Sequence, residues 1–294
     1  MGIRRIMLHI LAYTLYALVA FVVFVYVFFP YDLLQQRLME WASRDGRQLV
    51  LTRLRPMFPP GLRAEGIRLH VDQFSPSDAT MSIETLRVYP EWFALLARIL
   101  QVHFEAGLYN GQLEGEARYT KGAGVPLWEV RTHFLDLDMT QYALLRKDGK
   151  ALIRGRLGGD ATATLTSDGH MHDSSLILRV QSVALVGVPG WPLQLPREIL
   201  CDTVQGELKT PAQQASTVAL TCQGKDLFID GRGTVAWKTP LADSQLNVRW
   251  QIRSEEAYKQ ELAFLANRVR KRPDRRGEIS FRLQGPLRRL ETGA

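Results

Sequence analysis

The chain predicts a mainly β protein: a single N-terminal transmembrane helix followed by a long, curved antiparallel β-sheet domain with a few short helices. Three observations lead there. A charge-free apolar run fills the start of the chain. A two-residue alternation of apolar and polar side chains recurs along most of the remainder. Between the alternating runs stand Asn-Gly and Asp-Gly pairs, which most readily take the positive φ angles of tight hairpins. The organisation that follows is a cytoplasmic tail at 1–5, an anchor at 6–29, an amphipathic surface helix at 30–45 and a periplasmic-type β-rich domain at 46–294.

From Ile6 to Phe29 the sequence contains no Asp, Glu, Lys or Arg. As a helix the run spans about 36 Å, enough to cross a bilayer core with some tilt. A signal peptide would end in a small-x-small cleavage site, but Tyr26-Val27-Phe28-Phe29-Pro30-Tyr31 offers no small residue to cut after, so the run reads as an uncleaved anchor. Arg4 and Arg5 flank its amino end and the first base beyond it is Arg37, which puts the tail in the cytoplasm and the rest outside. His9, close to the entry end, reads as a neutral interfacial side chain.

Pro30-Tyr31-Asp32 opens a short amphipathic helix with Leu33, Leu34, Leu38 and Trp41 on one side, placed to lie on the membrane or cap the domain. The period then becomes two. Ile67, Leu69 and Val71 alternate with polar residues, as do Leu113, Gly115, Ala117 and Tyr119. Late in the chain Leu246, Val248, Trp250 and Ile252 form the cleanest apolar side, repeated by Ile279, Phe281 and Leu283. Turns are expected at Asn110-Gly111, Asp148-Gly149, Asp168-Gly169 and Asp230-Gly231, which together argue for a meander. Helical periodicity returns around Pro90 to Leu96 and from Ser254 to Arg270, where Tyr258, Leu262, Leu265 and Val269 make one stripe. Proline-rich stretches at 56–60 and 188–196 read as crossings at sheet edges.

With 37 basic and 30 acidic residues, the chain permits contact with anionic lipid without demanding it. A local excess, Arg268, Arg270, Lys271, Arg272, Arg275 and Arg276, reads as a solvated helix end and loop. An oxidising compartment would let Cys201 and Cys222 pair, while the alternation Val218, Leu220, Cys222 equally fits a small buried thiol. His170-Met171-His172 puts two imidazoles on one side of a strand, but no third ligand is placed by sequence. Asp136 and Asp138 would project together without an acid or histidine partner. Gly231-Arg232-Gly233-Thr234-Val235-Ala236 matches the dinucleotide fingerprint in letters only, because it runs into a strand instead of a helix. No nucleophile elbow, Walker loop, zinc-protease helix or Cys-x-x-Cys is present, so neither an enzyme nor a cofactor is expected. The aromatic residues fall at apolar strand positions, which argues against nucleic-acid binding.

Phe29-Pro30-Tyr31-Asp32-Leu33-Leu34 after the membrane, Pro192-Leu193-Gln194-Leu195-Pro196, Leu241-Ala242-Asp243-Ser244-Gln245-Leu246-Asn247 and the closing Phe281-Arg282-Leu283-Gln284-Gly285-Pro286-Leu287, set on this architecture, resemble the type II secretion system protein N (GspN) family. The same plan is also similar to the broader AsmA-like proteins. The first resemblance implies a non-enzymatic subunit anchored in the bacterial inner membrane, with its C-terminal domain in the periplasm and other secretion subunits as partners. The second implies a groove handling phospholipid. Leu246, Val248, Trp250 and Ile252 then belong either to a closed core or to an open trough, and the expectation is the core, because large exposed apolar patches are uncommon.

Overall fold

The computed structural model describes the chain except residues 1–8, 10–11, 18–19, 22–23, 25, 27, 43–46, 58–60, 72–79, 122–125, 142–145, 148–149, 152, 167–170, 186–198, 212–214, 226, 239–242, 255–262, 264–265, 268–272, 275–276, 287–290 and 294. Its centre is one 14-stranded antiparallel sheet. Strands β1 (Arg47–Met57), β2 (Gly61–Val71), β3 (Thr80–Pro90), β4 (Gln101–Leu108), β5 (Gly111–Lys121) and β6 (Pro126–Asp138) follow one another in space as in sequence. A separate hairpin, β7 (Arg146–Lys147) with β8 (Lys150–Ala151), is looped out. The sheet resumes with β9 (Ile153–Thr166), β10 (Met171–Leu185), β11 (Ile199–Thr210), β12 (Ser216–Gln223), β13 (Leu227–Ala236), β14 (Gln245–Ser254), β15 (Glu278–Pro286) and β16 (Glu291–Gly293). The predicted meander is therefore the fold, and a sheet of this length curls or twists strongly.

Helix α1 (Tyr31–Ala42) lies against β1, with Leu34 and Met39 on the cluster Leu51, Leu54, Ala64 and Ile67. Gln35 Nε2 donates to the Leu51 carbonyl at 2.8 Å. Of the expected stripe Leu34 packs inward, whereas Leu33 and Leu38 are exposed and Met39 takes the second contact. Helix α2 (Trp92–Leu96) joins β3 to β4. The described residues of the apolar run up to Phe28, among them Ala12 to Ala17, are helical, yet among the described residues no helix is long and apolar enough to cross a membrane. Of the expected helix from Ser254 to Arg270, Ala263, Ala266 and Asn267 are described and helical; the stripe Tyr258, Leu262, Leu265 and Val269 lies outside the described residues. So do His170, the turns at 148–149 and 168–169, most of the proline-rich stretches and the basic cluster at 268–276.

Two hairpin expectations have different outcomes. At Asn110-Gly111 there is a tight turn, displaced by one residue: Leu108 pairs with Gly111, and Tyr109 and Asn110 take φ of 51° and 57°. Asp230-Gly231 is no turn at all but the middle of β13, paired on both sides. The reason is on the neighbouring strand, where the Trp250 ring lies over Gly231: a Cβ there would sit 2.6 Å from ring carbons. Glycine is needed for close approach, not for a positive φ.

One side of the sheet is apolar and the other polar, but the two-residue period does not run unbroken. On β10 the buried side passes from Val180 to Val183 across Ser182, whose φ is 53°. On β11 it passes in parallel from Val204 to Cys201. A similar slip occurs where Gly66 takes φ 65° beside Thr52, whose Oγ1 donates to the Gly66 carbonyl at 3.1 Å. The slip at Ser182 places Cys201 beside Cys222, and the two form a disulfide with Cα atoms 5.9 Å apart. The bridge joins β11 to β12 inside the buried cluster, where both sulfurs' residues are 2% exposed. At a sequence separation of 21, the chain-entropy estimate gives about 3 kcal/mol. Cys201→Ala with Cys222→Ala should lower stability by that order in chemical denaturation, and unfolded, unreduced wild-type protein should show no reactive thiol to a labelling reagent.

Candidate functional site

The apolar face is assembled by register, strand by strand. One row reads Val88, Phe104, Gly115, Thr132, Ala161, Leu176 and Leu208 from β3 to β11. The next row outward reads Val102, Ala117, Val130 and Ala163. Phe104 lies over Gly115, whose missing side chain leaves room for the ring. Tyr119 and Trp128, a cross-strand pair, have ring centroids 5.2 Å apart. At the usual strand spacing of about 4.8 Å, the first row is roughly 29 Å long.

This face is closed at some places and open at others. Near β10–β15 it is a true core: Val248, Trp250 and Ile252 of β14 meet Ile279, Phe281 and Leu283 of β15, and Ala266 belongs to the same buried cluster. Ile279 is fully buried and Trp250 is 8% exposed. Leu246 is partly buried at the rim of that cluster. A second cluster lies under α1, and a third, Ala106, Leu108, Tyr109 and Leu137, at one end of β4–β6. Between them Phe104, Tyr119, Trp128, Val130, Leu176 and Leu208 are only half-buried and belong to no buried cluster among the described residues. Among the described residues, this middle stretch of the apolar side has no buried cluster over it.

The opposite face is a lattice of charges. Tyr89 donates to Glu105 at 2.8 Å, and this bond, with burial and the surrounding carboxylates, holds its phenol above the usual range. His103 meets Glu91 at 3.0 Å, Arg131 bonds Glu129 at 2.6 Å and reaches Glu116 at 3.6 Å, and His133 meets Asp160. Tyr89, His103, Glu105, Glu116, Arg131, His133 and Asp160 line a shallow hollow of about 370 Å³. Exposed pairs of this kind add little stability each. Farther along, Arg232, Arg249 and Arg282 stand in register on β13, β14 and β15, with Arg232 held by Asp230 at 3.0 Å.

The remaining candidates do not assemble into chemistry. Asp136 and Asp138 do not act as a pair, because the register shifts between Phe134 and Leu137 and Asp136 takes φ 52°. Asp138 instead accepts from Thr140 Oγ1 at 2.6 Å and Thr140 N at 2.9 Å, which holds its carboxyl below the usual carboxylate range. His172 is exposed on β10, and no group of three or more His, Cys, Asp or Glu among the described residues could hold a metal. Gly231 and Gly233 lie within a paired strand and cradle nothing. What defines the class is therefore a single antiparallel sheet with one apolar face, partly roofed. No family profile, curated protein or solved structure matches the chain.

Two outcomes follow. Trp250→Ala should cost about 3–5 kcal/mol, because it empties a covered core position, and a large fall in melting temperature measures it. Because Asp138 has a depressed pKa, its stabilising contribution is complete above the ordinary Asp value and disappears as pH falls through the lower, folded value. Thr140→Val removes the hydroxyl donor, so the acid-unfolding midpoint should move to higher pH while stability at neutral pH falls slightly.

Proposed function

We propose that the chain is a non-enzymatic protein of the bacterial envelope, held in the inner membrane by residues 6–29 with its sheet in the periplasm, and that the unroofed stretch of the sheet is a trough for lipid acyl chains. The placement is supported by the charge-free run, the missing cleavage site and Arg4 and Arg5 at its amino end. The trough is supported by one observation above others: Phe104, Tyr119, Trp128, Val130 and Leu176 lie side by side on one face and no buried cluster covers them among the described residues. Water against such a face is costly, at ~25 cal/mol per Å². A row of roughly 29 Å exceeds the about 15 Å that one acyl layer of a bilayer occupies. The paired charges opposite keep the outer side wet, as a one-sided antiparallel sheet requires.

A second reading keeps the same placement and makes the sheet a scaffold subunit of a type II secretion system. It is favoured by the closed cluster around Trp250, which is a core and not a ligand surface, and by the resemblance at Phe29 to Leu34. In that reading the end strands offer edges to which a partner can add a strand.

Full-length protein extracted in mild detergent from alkaline-washed membranes separates the readings by native mass spectrometry. The trough reading expects phospholipid at fixed stoichiometry. Trp128→Ala should diminish that lipid while the protein melts nearly as the wild type, since beyond the Tyr119 ring its neighbours are acyl chains and not a core. Lipid-free protein that co-purifies with secretion subunits would replace the trough with the scaffold. A soluble mature protein starting near Tyr31 would remove the anchor from both.

A further inference from the structure

Helix α2 and the residues after it leave apolar side chains in water at one end of the sheet. Phe93 is 81% exposed, Leu96 82%, Trp92 46% and Leu100 39%. The backbone beneath them is nonetheless firmly held. Leu95 N bonds Glu91 O at 3.0 Å, Ala97 N bonds Phe93 O at 3.2 Å and Ile99 N bonds Ala94 O at 2.8 Å. Glu91 N bonds Gln101 O at 2.9 Å, and the Glu91 carboxylate is held by His103. Arg98 takes φ 61° to turn the chain back into β4. A fixed scaffold that presents an aromatic pair and a leucine to solvent is unlike a frayed loop, and contiguous apolar exposure of this kind marks an interaction surface.

The charges around it select the partner. Leu100 O accepts from Tyr119 N, so the end of β5 borders this patch. Arg98 follows the patch directly, and Arg118 and Lys121 are exposed at the bordering end of β5 on opposite faces of the sheet; none of the three has an ion-pair partner among the described residues. The acids nearby are engaged: Glu91 with His103, Glu116 with Gln101 and Arg131, and Glu129 with Arg131. A twofold contact with a second copy would bring the three cations of each protomer together, a like-charge arrangement that costs affinity. A bilayer with anionic lipid offers the opposite: hydrocarbon for Phe93 and Leu96, an interfacial layer suited to Trp92, and negative headgroups for the cations. We propose that Trp92–Leu100 is a membrane-seating knob, which dips Phe93 and Leu96 into an anionic leaflet while Arg98, Arg118 and Lys121 meet its headgroups. The knob stands apart from the question of what fills the trough.

The test uses the full chain in vesicles. Because Cys201 and Cys222 are bridged, Phe93→Cys supplies the sole free thiol for an environment-sensitive fluorophore, and Ser280→Cys, exposed on the polar face, is the control. In phosphatidylglycerol-containing vesicles the Phe93 label should emit to the blue and lose several-fold of its intensity to a quencher carried on the lipid tails, with the Ser280 label unaffected. In vesicles of phosphatidylcholine alone, or with Arg98→Glu and Lys121→Glu together, the quenching should fall markedly. A Phe93 label that stays water-like in anionic vesicles overturns the proposal. So does a blue shift that grows with protein-to-lipid ratio and ignores the lipid-borne quencher, because that identifies a second copy as the occupant. Equal quenching in neutral vesicles overturns the selection of an anionic surface.

Discussion

A sheet that is wet on one side and greasy on the other must keep its side chains in phase from strand to strand, and everything else in this molecule depends on that. The pleat repeats every two residues, so a slip of one residue on any strand would turn its apolar set into water. Here the slips are shared between neighbours. When β10 changes phase at Ser182, β11 changes with it between Val204 and Cys201, and the apolar side continues. The same shared irregularity brings Cys201 next to Cys222, so the bridge is a product of the phase change and in turn holds it in place.

The strands were legible because the alternation in Leu246 to Ile252 or Ile279 to Leu283 is a direct imprint of the pleat, which needs no knowledge of distant contacts. Turn chemistry was less reliable, and the reason is specific. Asn110-Gly111 and Asp230-Gly231 present nearly the same dipeptide, yet the second serves the Trp250 ring on the next strand. Local sequence cannot tell a glycine that bends the chain from a glycine that makes room. The packing side of α1 was read in part: Leu34 of the expected stripe packs inward, but Leu33 and Leu38 share the periodicity without the neighbour, which Met39 has instead.

The apolar face was visible in the sequence, and its division into covered and uncovered parts was not. Val248 and Val130 occupy equivalent strand positions, one 3% exposed inside a buried cluster that includes Ala266 and the other half-buried outside every buried cluster among the described residues. The difference comes from what crosses above each of them, a tertiary fact with no signature in a seven-residue window. Helix α2 was legible from the periodicity around Pro90 to Leu96, but its exposure was not, since its five residues bury nothing and carry no polar side to show which way they face.

Strand order in the sheet equals strand order in the chain, with the β7–β8 hairpin alone set aside. Each strand consequently owes its hydrogen bonds to its immediate successors and predecessors, a nearly one-dimensional arrangement in which contacts between distant parts of the sequence are few. Length in such an object is a free parameter. Inserting one more hairpin between β6 and β9 would widen the apolar row by about 10 Å, two strand spacings, while leaving every other pairing as it is. The width of the apolar row is then set by the number of hairpins in the chain, and can change by duplication of a hairpin without a new core having to be invented.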